Sequence, residues 1–231
     1  MTFSRVSILG LLSLVATTVT SPAQDEVPKQ RVSFFAFDVP ADRTSVQLMT
    51  SKNGFIKLDL PGANATTPQT VANLDGNIAI YDKPVTGPDG KPSFPLLGKI
   101  KSSPQWPEVM IILIAEKKGD LDQFTGFAFP MSKNDLPPGS IKFANLSPYF
   151  VRGMLGTSKL MFKPGMIETI QPKEKAGTMI NVVFQYQEND TWQRMMATQW
   201  AAGGQERTLV FAFKSPLSGT MTSRSIPLKD E

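Results

Sequence analysis

Trp192, Arg194 and Trp200 are the residues whose types and spacing best suit a binding chemistry. All three fall in one run of β-forming residues, 191–200. In an unbroken strand, alternate residues share a face, so Trp192, Arg194, Met196, Thr198 and Trp200 would line one side. An aromatic face beside a guanidinium offers a platform for sugar rings or peptide side chains. The competing expectation is that one or both tryptophans fill a core, as large aromatics usually do. Trp106, between Pro104 and Pro107, reads as a loop anchor, and Met195 and Met196 as packing residues.

Other chemistries are narrowed by what the chain lacks. It has no histidine and no cysteine. That removes Ser-His-Asp and Cys-His catalysis, disulfides and the usual donors for zinc, copper and non-haem iron. Any catalysis falls to Asp, Glu, Lys, Ser, Thr or Tyr. Asp120 and Asp122 form an Asp-x-Asp pair with Glu116 nearby, but a calcium site needs six or more oxygens and no calcium loop is spelled out. They read as a solvated turn, and no metal and no cofactor are expected. Ser140 with Lys142, Ser158 with Lys159, and Ser132 with Lys133 are adjacent by composition only. No nucleophile elbow, phosphate loop or dinucleotide fingerprint is present. A carboxylate pair assembled by folding, as glycoside hydrolysis requires, has no sequence spacing to betray it. A carboxylate-dependent hydrolase of polysaccharide or peptide therefore stands as the alternative function.

The elements that must position these residues are strands. Runs at 32–37, 45–49, 55–60, 77–81, 109–115 and 124–129 are short, rich in Val, Ile, Phe and Tyr, and bounded by turn residues. Runs at 140–145, 151–155, 159–162, 167–170, 179–187, 191–200, 208–214 and 220–226 follow. Asn53-Gly54, Asp75-Gly76, Glu188-Asn189-Asp190 and Ser218-Gly219 mark hairpin turns. Ile56, Leu58 and Leu60 alternate onto one face, whereas 109–114 is apolar throughout, as a strand covered on both sides would be. Nineteen prolines and 17 glycines leave no long helical stretch. The run Ser132-Lys-Asn-Asp-Leu-Pro-Pro-Gly139 predicts a linker at 132–138 between a first sandwich, 31–131, and a second, 139–231. A faint repeat crosses it: Phe35-Ala36 with Phe143-Ala144, Lys57 to Pro61-Gly62 with Lys159 to Pro164-Gly165, and Phe127-Ala128-Phe129 with Phe211-Ala212-Phe213. The first half carries an extra stretch between about Ala63 and Pro104.

The N-terminus reads as an address. Arg5, the apolar stretch 6–19 and Ser21-Pro22-Ala23 predict a signal peptide, 1–23, cut before Gln24, and a flexible leader, 24–30. The expected destination is a bacterial periplasm or the exterior, with no stable membrane insertion after cleavage. The net charge of +4 becomes +3 without Arg5 and is spread along the chain. Nucleic-acid binding needs a concentrated patch, so no nucleic-acid partner is expected.

The run Gly139-Ser140-Ile141-Lys142-Phe143-Ala144-Asn145-Leu146-Ser147-Pro148, with Pro164-Gly165 and the ending Arg224-Ser225-Ile226-Pro227, resembles uncharacterised secreted bacterial immunoglobulin-like β-sandwich domains. The resemblance covers the second half and implies a fold but no activity. The expectation is an all-β chain of two tandem immunoglobulin-like β-sandwich domains after a signal peptide. Its expected role is that of a non-catalytic module that binds a protein or glycan in the envelope, or takes part in envelope assembly.

Overall fold

The computed structural model describes residues 27–37, 39, 43–60, 64–118, 121–215 and 218–228, and the side chains of 117, 118, 121 and 122 are outside the description. The signal-peptide reading of 1–23, with its cut before Gln24, lies outside the described residues, as does Asp120. Every described element is a strand. The first half holds β1 (Lys29–Phe37), β2 (Ser45–Ser51), β3 (Gly54–Asp59), β4 (Gln69–Ala72), β5 (Asn77–Tyr81), β6 (Val85–Thr86), β7 (Pro92–Ser93), β8 (Leu96–Lys101), β9 (Glu108–Lys118) and β10 (Leu121–Pro130). The second holds β11 (Ile141–Asn145), β12 (Val151–Leu155), β13 (Ser158–Phe162), β14 (Ile167–Ile170), β15 (Met179–Glu188), β16 (Thr191–Ala201), β17 (Arg207–Lys214) and β18 (Met221–Leu228).

The two halves repeat one architecture. Setting aside the small β6–β7 hairpin, each has eight strands in two sheets of four, ordered β10-β9-β1-β4 and β3-β2-β5-β8 in the first, β18-β17-β11-β14 and β13-β12-β15-β16 in the second. In both, the opening strand lies parallel to the seventh (β1 with β9, β11 with β17) and antiparallel to the fourth. In an immunoglobulin constant domain the first and second strands share a sheet; here they lie in different sheets. The extra segment of the first half is shorter than its sequence suggests. β4, β5 and β8 have counterparts in β14, β15 and β16, so the insertion is 82–95, which carries the β6–β7 hairpin.

Period-two patterning fills three cores. Val32, Phe34, Leu48, Leu58, Ile80 and Ile111 belong to the core between the first half's two sheets, and Phe143, Val151, Phe162, Val182, Phe184 and Val210 to that of the second. The opposite faces of the same strands make a third core. Phe35, Phe37, Met110, Ile112 and Phe129 meet Ala144, Leu209, Phe211, Phe213 and Ile226. Phe37 stands edge-on to Phe211 with centroids 5.1 Å apart, and 4.5 Å from Phe213. The molecule is thus four sheets deep, with the two inner sheets covered on both faces. That explains the apolar run at 109–114: Ile111 faces the first core and Ile112 the third.

Several sequence expectations change. The leader does not extend to Gln30, because β1 begins at Lys29 and Gln30 is buried, its amide donating to the carbonyls of Ser103 and Trp106. The 132–138 segment is anchored rather than flexible. Leu136 is buried in the third core, and the Asp135 and Leu136 amides both donate to the Ser132 carbonyl. The repeat marks are partly misaligned. Phe143 faces its own sandwich core as Phe34 does, whereas Phe35 faces the third core, so the true match is one residue earlier. A single-residue slip reverses every face. Phe127-Ala128-Phe129 lies in β10, an eighth strand, but Phe211-Ala212-Phe213 lies in β17, a seventh. The Asn53-Gly54 turn is also displaced: Gly54 already pairs with Ser51, leaving Lys52-Asn53 as the turn. Asp75-Gly76 and Asn189-Asp190 do adopt positive φ, at 50° and 76° and at 48° and 61°, as two-residue hairpin turns of this hand require.

Candidate functional site

The predicted Trp192, Arg194 and Trp200 do not share a face. β15 and β16 pair from Thr191 to Ala201, but Gln185 faces Arg194 and Phe184 faces Met196, so Met195 is an extra residue on β16. Such a bulge reverses the alternation beyond it. Trp192 and Arg194, paired with Gln187 and Gln185, point away from the core. Met196, Thr198 and Trp200 pair with Phe184, Val182 and Ile180, whose side chains are buried, and so lie on the inner side. Trp200 packs against the second core, 6.5 Å from the Phe184 ring. It is a packing residue, and the three-residue platform is not formed. The first half has its bulge between the corresponding strands, β5 and β8, where Leu97 is the extra residue and fills the core.

What the fold assembles instead is the outer face of the β13-β12-β15-β16 sheet. Arg152 of β12, opposite Gln185, donates from Nε to its Oε1 at 2.7 Å and lays its guanidinium 4.3 Å from the centroid of the Trp192 ring. One face of Trp192 is therefore occupied by a cation from its own chain. Near this pair Met154 and Met161 are 41% and 52% exposed, and Met179, at the far end of β15 on the same face, is 59% exposed. The missed residues are Arg152 and these methionines. The alternation of Val151, Gly153 and Leu155 inward against Arg152 and Met154 outward was available in the sequence; the strand partners that bring Arg152 to Trp192 were not.

The corresponding face of the first half carries an aromatic cluster beside exposed Lys57 and Leu96, the latter 48% exposed. Phe94, from the inserted segment, stacks on Phe55 at 3.9 Å and 9°, and Phe55 meets Tyr81 edge-on at 5.3 Å. In the second half the counterparts of β5 and β8, β15 and β16, are joined by the two-residue turn Asn189-Asp190.

Two other places gather polar groups. A cleft of about 630 Å³ opens between the halves, lined by Arg31, Glu108, Met131, Lys133, Arg207 and Ile226 among others. Arg207 donates to the Met131 carbonyl, tying the halves together, and Glu108 is the one carboxylate among the described lining residues. At the far end of the second half, the Tyr149 hydroxyl donates to Glu188 Oε1 at 3.1 Å, with Lys214 Nζ 3.4 Å from that hydroxyl. Desolvation, followed by the charge of Glu188, raises the pKa of neighbouring Tyr186 and keeps it neutral.

Ser140, Lys142 and Glu116 make structural hydrogen bonds. Ser140 Oγ donates to the Pro137 carbonyl and Lys142 Nζ to that of Pro130 at 2.7 Å, so neither activates the other. Glu116 accepts from Thr125 at 3.0 Å. Among the described residues no three acidic side chains gather as a metal site would require.

Fold and site together define an all-β protein of two repeated eight-stranded units. No protein-family model and no curated protein matches the chain.

Proposed function

We propose that this chain is an exported, non-catalytic module, built from two variant immunoglobulin-like sandwich units, that binds a protein partner through the outer face of β13-β12-β15-β16. The observation that carries the reading is the difference between equivalent faces. The first half packs Phe94 on Phe55 over its outer sheet, leaving Leu96 exposed there, whereas the second exposes three methionines, Met154 and Met161 near the Arg152–Trp192 pair and Met179 further along β15. Exposed methionines are adaptable apolar contacts typical of protein-binding surfaces. A sugar platform is less well supported, because Arg152 occupies one face of Trp192.

The test is site-specific photo-crosslinking in the producing cells, with the probe at Met161 or, as a control, at Lys57 on the outer face of the first half. A discrete adduct from Met161 and none from Lys57 supports the reading; identical patterns from both sink it. Sequencing the N-terminus of the recovered protein tests export and should find Gln24 first.

A further inference from the structure

We infer that the partner segment received by this face is acidic as well as apolar; the inference rests on the proposed binding role and specifies its chemistry. The register determines which side chains point outward. Lys159 on β13, Arg152 on β12 and Arg194 on β16 are three cations on that face. None of the residues these four strands turn outward is acidic. The nearest carboxylates are directed elsewhere. Glu174 accepts from the Thr157 amide and hydroxyl at one end of the sheet, Glu188 accepts from Tyr149 on the core side, and Asp190 sits in the β15–β16 turn.

Between the cations the face is apolar or uncharged: Met154, Met161, Val183 and Ala197 alternate with Gln185, Gln187, Gln199 and Asn181. Three cations on so wide a sheet are too few for a phosphate backbone, which is bound through many contacts. Amides spread among the methionines would lose their hydrogen bonds inside a lipid layer, whereas a polypeptide supplies partners for them. An acidic, apolar polypeptide matches all three components: carboxylates to the guanidinium and ammonium groups, apolar side chains to the methionines, and main-chain groups to the amides. Complementary charge of this kind governs on-rate, orientation and rejection of wrong partners more than raw affinity.

The test uses the full chain and three fluorescent peptides of equal length in which Leu alternates with Glu, Gln or Lys. Anisotropy gives affinity at low and high salt, and the methyl NMR signals of Met154, Met161 and Met179 report whether binding is on this face. The expected result is that the Glu peptide binds about tenfold more tightly than the Gln peptide, moves those methyl signals and weakens several-fold at high salt. The Lys peptide should not bind. K159Q/R194Q should abolish most of the Glu-over-Gln preference; because both side chains are exposed, it avoids the risk to folding carried by R152Q. Equal binding of Glu and Gln peptides at the methionines overturns the charge inference and leaves the binding role standing. Methyl signals unmoved by any peptide overturn both. Capture of the chain by phosphatidylglycerol vesicles, with those methyls shifted and no Glu-peptide preference, overturns the inference in favour of a lipid surface.

Discussion

Removing one ring from the third core should weaken both halves together. Phe211 is fully buried and contacts Phe35, Phe37 and Phe213 at centroid separations of 6.1, 5.1 and 5.7 Å. Phe211→Ala should cost about 3–5 kcal/mol, as truncation of a buried Phe usually does. The larger question is whether either half holds without the other. Separating them would uncover Leu209, Phe211, Phe213 and Ile226 on the second half alone. At about 1.5–3 kcal/mol for each, that is roughly 6–12 kcal/mol, an upper bound since each keeps neighbours in its own sheet. A typical domain has only about 5–15 kcal/mol in total. The halves should therefore unfold as one, and a fragment starting near Asp135 should not fold alone, contrary to what a linker at 132–138 suggests. The three tryptophans supply the assay. Trp106 packs against the first core and Trp200 against the second, so variants retaining only one of them follow the halves separately in a guanidinium titration. Each single-tryptophan curve is expected to shift by the same amount when Phe211→Ala is added to it. A Trp106 curve that stays put while the Trp200 curve moves would refute the argument.

Three further outcomes follow from the same geometry. Trp200→Ala should destabilise by about 2–4 kcal/mol and Trp192→Ala by about 1, because one lies on the core side and the other makes a surface cation–π contact; equal costs in denaturant titrations would contradict the bulge. Asn145→Ala should cost about 2–4 kcal/mol by thermal or chemical melt, since the buried Asn145 amide donates to the carbonyls of Tyr149, Phe162 and Lys163, tying three chain segments together. Lys142 is buried between the halves, and desolvation lowers its pKa from the usual 10.5, partly opposed by Asp135. Its protonated form is penalised only in the folded state, so the penalty is full below the folded pKa and vanishes above the unfolded one. Wild type should therefore gain stability relative to Lys142→Met as pH rises from 7 toward 10; a pH-independent difference would show that the ammonium carries no such penalty.

Much of the fold was readable because period two is a local property. Ile56, Leu58 and Leu60 declare their face within six residues, Asp75-Gly76 declares its turn within two, and the turn expected at Glu188-Asn189-Asp190 is there but one residue shorter. The features that escaped depend on partners distant in sequence. Leu96–Lys101 sits among prolines and contains Gly98, so it looks like a loop; its pairing with β5 makes it a strand. Residues 109–114 announce burial on both sides, but nothing in them names the second half as the cover. The expected shared face breaks at a single position. Met195 is chemically unremarkable, yet its place as the unpaired residue of β16 sends Trp200 inward and leaves Trp192 outside. Arg152, which completes the surface pair, lies on a strand joined to Trp192's only through β15.

The parallel pairing of β1 with β9, and of β11 with β17, sets the order in which this chain can mature. Val32 cannot meet Val109, nor Phe143 meet Val210, until nearly the whole of each half has been synthesised. Contacts between residues so far apart in sequence make for slow folding, in the millisecond-to-second range for β proteins of this kind. Through that interval β1 presents Phe34, Phe35 and Phe37 without the strand that later flanks them, an adhesive segment at the leading end of the nascent polypeptide. A holding chaperone that captures apolar extended segments would find its preferred target at β1, and its release would be timed by the arrival of β9.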